Sequence, residues 1–155
     1  MGGGVARQSR NGERGAAAVE FALVVPFLLL ILFGVISYGY MLSFRQALSQ
    51  GAAEGARAAA VSTADDDAGR TTAALAALND SLDLYGVTCT AGSLVKGGTT
   101  VGTCSVTIAQ CTNDSTADCA TLAVAYQYGD HPLLPDFPFV PLPDELQYSA
   151  VARVS

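Results

Sequence analysis

Residues 21–44 read FALVVPFLLLILFGVISYGYMLSF, a stretch of the chain without a single charged side chain. If these 24 residues form a helix, they extend about 36 Å at roughly 1.5 Å per residue, enough to cross the ~30 Å hydrocarbon core of a bilayer with some tilt. Tyr38 and Tyr40 fall near the C-terminal end, where aromatic rings favour the level of the lipid headgroups. The sequence therefore predicts one transmembrane helix.

The charges on either side of this stretch predict its orientation. Arg7, Arg10 and Arg14 precede it with Glu13 as the only acid in the tail, whereas only Arg45 follows closely. Because cytoplasmic flanks are enriched in Lys and Arg, we expect a single-pass protein of the inner (cytoplasmic) membrane. Its N-terminus would be cytoplasmic and its C-terminal portion extracytoplasmic. A cleaved secretory signal is the alternative, but the apolar region of such a signal is usually about 7–15 residues long.

The composition narrows the class of protein. Of the 155 residues, 50% are hydrophobic and 14% are charged, with a formal net charge of −6. This excludes a disordered chain, which is poor in apolar residues, and argues against nucleic-acid binding, which needs a basic face. The sequence lacks GxSxG, HExxH, a phosphate-binding glycine loop and a Cys/His nucleophile pair, and His131 is its single histidine. We expect no enzymatic activity, catalytic residue, metal, cofactor or small-molecule substrate.

The chain divides into three parts. Residues 1–15 form a Gly-rich basic tail, residues 16–61 read as one helix that continues beyond the membrane, and residues 62–155 form a small exported domain. Pro26 lies inside the helix, which membrane helices tolerate better than soluble ones. The predicted fold class is α+β: a long N-terminal transmembrane helix, then a domain with a second helix and an antiparallel sheet of about four strands.

The second helix is predicted after a break at residues 62–64. The acidic run 65–67 suits the positive N-terminus of a helix, and Gly86 is a plausible stop. Its apolar stripe consists of Leu75, Leu78 and Leu82. A calcium site at the acidic run is a less favoured alternative, because capping explains three acids there and no EF-hand pattern follows.

The remainder of the domain has the composition of β-strands. Four segments rich in Thr, Val, Ile and Tyr are YGVTCTA, TCSVTIAQC, ATLAVAYQY and LQYSAVARV, with Gly97-Gly98 between the first two. Between the last two, proline recurs every third residue from Pro132 to Pro141, the period of polyproline II. We interpret this segment as a stiff loop that packs Phe137 and Phe139 on the sheet; a docking surface is the alternative.

All four cysteines follow the predicted span, which agrees with export to an oxidising compartment. They are Cys89, Cys104, Cys111 and Cys119. Two disulfides are favoured over a four-Cys zinc site, because no C-x-x-C pair is present. Three pairings are possible. We favour the two local ones, Cys89–Cys104 around the Gly97-Gly98 turn and Cys111–Cys119 around the polar loop TNDSTAD.

Small residues recur every fourth position beyond the membrane, at Ala47, Gly51, Gly55 and Ala59. Such a stripe lets another backbone approach closely. It predicts helix packing, either against the chain's own domain or against a neighbouring subunit, and the spacing does not separate the two.

Glu20 is the only charge between Arg14 and Arg45. A carboxylate at the start of a membrane span is costly and so is a functional candidate. The alternative is a glutamate that reaches back to the interface or pairs with Arg14.

The residues around Glu20 resemble a known signal. Gly15 followed by AAAVEF, with Glu20 five positions on and then an apolar helix, resembles the class III signal of type IV-like pilins. The segment from Arg10 to Tyr40 is similar to TadE-like pseudopilins, or minor pilins, of the Flp/Tad (tight adherence) pilus system. The small-residue region QALSQGAAEGARAAAV and the closing strand–loop–strand that ends in LQYSAVARV also resemble this family.

The resemblance implies a function and a set of partners. A prepilin peptidase would cleave between Gly15 and Ala16, and Glu20 and Phe21 would act in assembly. The product would assist assembly or initiation of a type IV pilus of the Tad class, together with other pilins and the Tad assembly platform, and it could enter the pilus. A signal-anchored exported binding module unrelated to pili is the alternative function.

Overall fold

The computed structural model describes residues 10–135 and 141–154, with side chains from Gly15 onward. Two α-helices are followed by a short 3₁₀ turn and five β-strands. Their bounds are α1 Arg10–Val61, α2 Asp67–Leu82, the 3₁₀ turn Asp83–Tyr85, β1 Val87–Thr90, β2 Ser93–Lys96, β3 Thr99–Cys111, β4 Asp114–Tyr126 and β5 Leu146–Arg153. The predicted α+β class is confirmed. Phe137 and Phe139, expected to pack on the sheet, lie outside the described residues.

The five strands form one antiparallel sheet in the order β1-β2-β3-β4-β5, so each strand pairs with its neighbour in sequence. The expected number of about four strands is corrected to five, because β2 pairs with both β1 and β3. The predicted loop TNDSTAD is shorter in the structure. The turn occupies only residues 112–113, and cross-strand pairing extends β4 back to Asp114.

Helix boundaries follow local chemistry. α1 begins at Arg10, earlier than the expected Ala16, since the segment from Glu13 to Ala18 is rich in good helix formers. α2 begins after Asp66, whose carboxylate accepts a hydrogen bond from the backbone N–H of Gly69 at 2.9 Å. This is the N-cap role that the acidic run predicts. Gly86, at φ +65°, closes the 3₁₀ turn in the left-handed region that favours glycine.

The chain divides into two compact units, Met1–Ser37 and Tyr38–Ser155. The second, called here the C-terminal unit, contains one hydrophobic core. β4 turns alternate residues toward this core, so one face of the sheet carries it. Its largest fully buried side chains are Tyr126, Tyr128, Phe44, Leu48, Leu78, Leu82, Leu94, Leu122 and Val87.

Aromatic rings dominate the core around Phe44 of α1. Its ring packs edge-on against Tyr85 and Tyr126, with centroids 4.9 and 4.8 Å apart. Such edge-to-face pairs add about 0.5–1.5 kcal/mol beyond the area they bury. Met41 and Phe44, at the end of the apolar stretch, are therefore part of the C-terminal unit's own core.

The small-residue stripe of α1 packs inside the C-terminal unit. Gly55 lies so close to α2 and β4 that a Cβ there would stand 2.9 Å from the carbonyl oxygen of Ala74 and would collide with the side chain of Leu122. Gly51 is packed against Leu78 of α2, and Ala59 is fully buried. Of the two alternatives for this stripe, the structure shows packing against the chain's own domain.

Two disulfides join the sulfurs in the pairs that the spacing favours. Cys89 of β1 is bonded to Cys104 of β3, with Cα atoms 6.1 Å apart, and Cys111 is bonded to Cys119 across the β3–β4 hairpin, with Cα atoms 4.9 Å apart. The first pair is buried in the core, so it ties the end of the sheet next to α2 to the central strands.

Candidate assembly site

The residues singled out for processing and assembly lie on one stretch of α1. Gly15, Ala16, Glu20 and Phe21 are all helical and all exposed, and the ring of Phe21 is 70% exposed. Because residues four apart occupy the same face of a helix one turn apart, Ala16 and Glu20 share a face. The residues of the sequence motif therefore lie on the exposed surface of this part of α1.

Gly15 has no role in packing that would require a glycine. A Cβ at this position would meet no atom within 4 Å, and its backbone is helical, where glycine costs about 1 kcal/mol relative to alanine. Within the residues that the structure describes, packing therefore does not require a glycine at this position.

The carboxylate of Glu20 is exposed and makes no hydrogen bond or ion pair with the side chains that the structure describes. Arg14, the residue with which it could pair locally, lies outside those described side chains. Glu20 therefore stands at the edge of a long apolar surface with its charge available to another molecule.

The apolar surface beyond Glu20 covers all sides of the helix. Four consecutive side chains, which together go round one full turn of the helix, are all exposed: Phe27 at 69%, Leu28 at 57%, Leu29 at 44% and Leu30 at 44%. The candidate membrane span found here is Gly15–Val61, and its most apolar window is not buried at all. A helix that is apolar on every face needs a bilayer or other helices around it, which is compatible with a single-pass membrane anchor.

A contact that sequence analysis missed lies at the other end of the apolar stretch. Arg45 donates a hydrogen bond from Nε to the Tyr148 hydroxyl, and its Cζ lies 5.9 Å from the centre of the Tyr148 ring. The two residues are 103 positions apart, so no pattern of neighbouring residues predicts the pairing. The only signal in the sequence was that Arg45 is the first charge after the apolar stretch.

Two ionisable groups of the C-terminal unit, Tyr126 and Asp114, have pKa values that are shifted by their structural surroundings. Burial in the core, together with the neighbouring Tyr128, raises the pKa of Tyr126 to about 12, and its hydroxyl donates to the carbonyl oxygen of His131 at 2.9 Å. Hydrogen bonds from Thr116 to the carboxylate lower the pKa of Asp114. Within the described residues, no group of three or more His, Cys, Asp or Glu side chains could hold a metal ion.

Comparison with known proteins finds a family match for the N-terminal part of the chain. Residues 15–57 match the family model described as TadE-like protein, which confirms the resemblance drawn from the sequence. The matched residues include Gly15, Ala16, Glu20 and the whole apolar stretch, so the match covers the same segment as the sequence motif. Residues 58–155 lie outside the match, and no curated protein or solved structure matches the chain.

Proposed function

We propose that this chain, TadE-like over residues 15–57, is a pseudopilin, or minor pilin, that assists assembly or initiation of a Tad-type pilus. The observation that carries the proposal is the arrangement of Gly15, Ala16 and Glu20 on an exposed helix end, directly before an apolar surface. These residues are not needed for the fold of the C-terminal unit. They fit a segment whose partners are a peptidase, a membrane and other pilins.

The proposed topology is a single pass through the inner membrane with the N-terminus in the cytoplasm. The arginines Arg7, Arg10 and Arg14 before the span support it, because basic flanks stay cytoplasmic. The two disulfides after the span support it independently, since structural disulfides persist in oxidising compartments. The C-terminal unit would then be extracytoplasmic.

The proposed processing step is hydrolysis of the Gly15–Ala16 peptide bond by a prepilin peptidase on the cytoplasmic side. Gly15 carries no side chain that could obstruct approach to the peptide bond that follows it. Cleavage leaves a free ammonium on Ala16, one helical turn from the carboxylate of Glu20. The mature helix therefore begins with a positive and a negative charge, and its apolar surface follows directly after them.

The proposed assembly step pairs the Ala16 ammonium of one subunit with Glu20 of its neighbour. In a medium of low dielectric constant the attraction between such charges is much stronger than in water, and leaving one of them buried without its partner costs about 3–5 kcal/mol. The pairing would therefore fix the axial stagger between neighbouring helices, while the apolar side chains supply most of the contact area.

Mass spectrometry of the purified membrane form tests the processing step. We expect a mature N-terminus at Ala16 in cells with an active prepilin peptidase, and retention of the tail when Gly15 is replaced by phenylalanine. Gly12→Phe is the matched control, because it changes another glycine of the tail and should be cleaved normally. An intact wild-type N-terminus would instead favour the signal-anchored binding module.

Crosslinking to pilin partners tests the assembly step. We expect Glu20→Ala to be cleaved and inserted but to lose crosslinks and pili, because it leaves the neighbouring ammonium without a partner. Glu54→Ala, which removes another exposed carboxylate of α1, should assemble normally at matched membrane levels. Normal crosslinking and piliation in the Glu20 variant would contradict the proposed pairing.

A further inference from the structure

Arg45 is held in a fixed position at the end of the apolar stretch. It is the first charged residue after residues 21–44, and its Nε–H is bonded to the hydroxyl of Tyr148 on the edge strand β5. The Tyr148 ring lies beside the guanidinium, with Cζ 5.9 Å from its centroid. Because an exposed arginine normally samples many rotamers, two contacts to one residue of a distant strand pre-organise its remaining donors.

The charge of Arg45 is not neutralised within the part of the chain that the structure describes. No carboxylate there lies within ion-pair distance of it. Glu145 is the acid that shares a groove with Arg45, but its two carboxylate oxygens accept hydrogen bonds from the side-chain amides of Gln127 and Gln147, at 2.8 and 2.7 Å. The terminal amino groups of Arg45 therefore remain able to bind an anion.

A shallow groove of about 370 Å³ adjoins this guanidinium. Its lining changes in character along α1: Leu42, which is 48% exposed, comes first, then Arg45 and Gln46, and finally Ser49. At about 1.5 Å per residue these residues extend from the last exposed leucine of the apolar stretch to the polar part of the helix over roughly 10 Å. Tyr148 forms the opposite wall.

We propose that this groove binds the phosphodiester headgroup of a membrane phospholipid in the leaflet at the C-terminal end of the span. The order of apolar, cationic and hydrogen-bonding side chains matches the order of acyl chain, phosphate and headgroup in a lipid. Arginine is suited to the phosphate, because its planar fork can donate two parallel hydrogen bonds to phosphate oxygens. The site requires a membrane-inserted span, but neither cleavage at Gly15 nor assembly into a pilus.

Titration of the full chain in maltoside micelles with dioctanoyl phosphatidylglycerol tests the proposal. Backbone amide shifts of Gln46 and Ser49, followed by NMR, report occupancy of the groove. We expect saturable shifts in the wild-type protein and dissociation constants at least about tenfold higher in Arg45→Gln, because this substitution removes the charged donors to the phosphate. Tyr148→Phe, which keeps the ring but releases Nε, should bind more weakly than wild type. Arg57→Gln, an exposed arginine later on α1, is the matched control and should bind normally.

Two further ligands separate the possible sources of binding. Dioctanoylglycerol, which lacks the phosphate, should give no saturable shift, and inorganic phosphate should bind at least about tenfold more weakly than the lipid, since it lacks the acyl contact with Leu42. Equal affinity for inorganic phosphate would replace the lipid site by a free-anion site. Equal affinity for dioctanoylglycerol, or unchanged lipid binding in Arg45→Gln, would overturn the proposal. If Arg45→Gln does not fold, Arg45→Lys decides, because it keeps the charge without the fork and should still bind more weakly.

Discussion

The two portions of α1 are built from the same secondary structure for different surroundings. In residues 15–37 large apolar side chains are exposed on every face, with Phe21 at 70% and Phe27 at 69%. In residues 38–61 one face is buried, with Phe44 and Leu48 at 0%, and small residues at Gly51 and Gly55 allow a close approach to α2 and β4. The comparison shows that hydrophobicity decides where a helix resides, whereas the pattern of residue sizes decides what it packs against.

The largest difference in unfolding free energy is expected between two phenylalanine-to-alanine substitutions, one in each portion of α1. Phe44→Ala should lower the free energy of unfolding of the C-terminal unit by about 3–5 kcal/mol, because it empties a buried site between Tyr85 and Tyr126. Phe27→Ala removes a ring that touches little and should leave that unit unchanged. Urea unfolding in micelles, followed by near-UV circular dichroism of the tyrosines, measures both. Equal losses would mean that the two portions of α1 are not energetically distinct.

The disulfides should affect only the C-terminal unit. Replacing Cys89 and Cys104 together by serine should cost about 2–4 kcal/mol, and replacing Cys111 and Cys119 about 0.5 kcal/mol less, since that bond closes the shorter loop: their sequence separations are 15 and 8. Hydrogen exchange should show faster opening of the strands with unchanged protection of residues 21–37. Loss of protection in that stretch would contradict the separation between the two portions.

Tyr126, which packs on Phe44, should make the unit sensitive to alkali. Its pKa is raised from 10.0 to about 12 in the folded state, so the protonated hydroxyl stabilises the fold fully below pH 10. That contribution is lost as the pH rises from 10 through 12, a decrease of up to about 2–3 kcal/mol. Tyr126→Phe should lose about 1 kcal/mol at neutral pH, for its hydrogen bond to His131, and should unfold with a flatter pH profile. An unchanged profile would show that another group controls alkaline unfolding.

The smallest change in structure is a single added methyl group. Gly55→Ala should destabilise by a net ~1–2 kcal/mol, because overpacking against Ala74 and Leu122 outweighs the gain in helix propensity. Gly39→Ala is the matched control, since a Cβ there meets open space, and it should be neutral or slightly stabilising. Thermal unfolding in micelles distinguishes the two. A neutral Gly55→Ala would mean that the contact between α1, α2 and β4 is loose.

The parts of the fold that could be predicted were those governed by local chemistry. The end of α1 at Val61, the cap at Asp66 and the leucine stripe of α2 follow from patterns within a few residues. β2 was missed because its four residues are too few to show an alternating pattern beside the Gly97-Gly98 turn. The N-terminal part of β4 was missed because its polar sequence forms a strand only through pairing with β3.

The residues of the candidate site also differ in whether a local sequence pattern could predict them. Gly15, Ala16 and Glu20 could be singled out because their spacing is itself the motif. The partner of the small-residue stripe could not, since a spacing of four residues allows any close backbone and only the tertiary contacts identify α2 and β4. The pairing of Arg45 with Tyr148 joins residues 103 positions apart and has no local signature at all.

The sequential order of the strands has a consequence for how the unit forms. Since every strand pairs with the one made just before it, the sheet can grow one hairpin at a time, without waiting for a distant strand. Contacts between neighbours in sequence favour rapid folding. β5 is the last of the five strands in sequence and carries Tyr148, so the contact with Arg45 of α1 is completed only after the other four strands have been made.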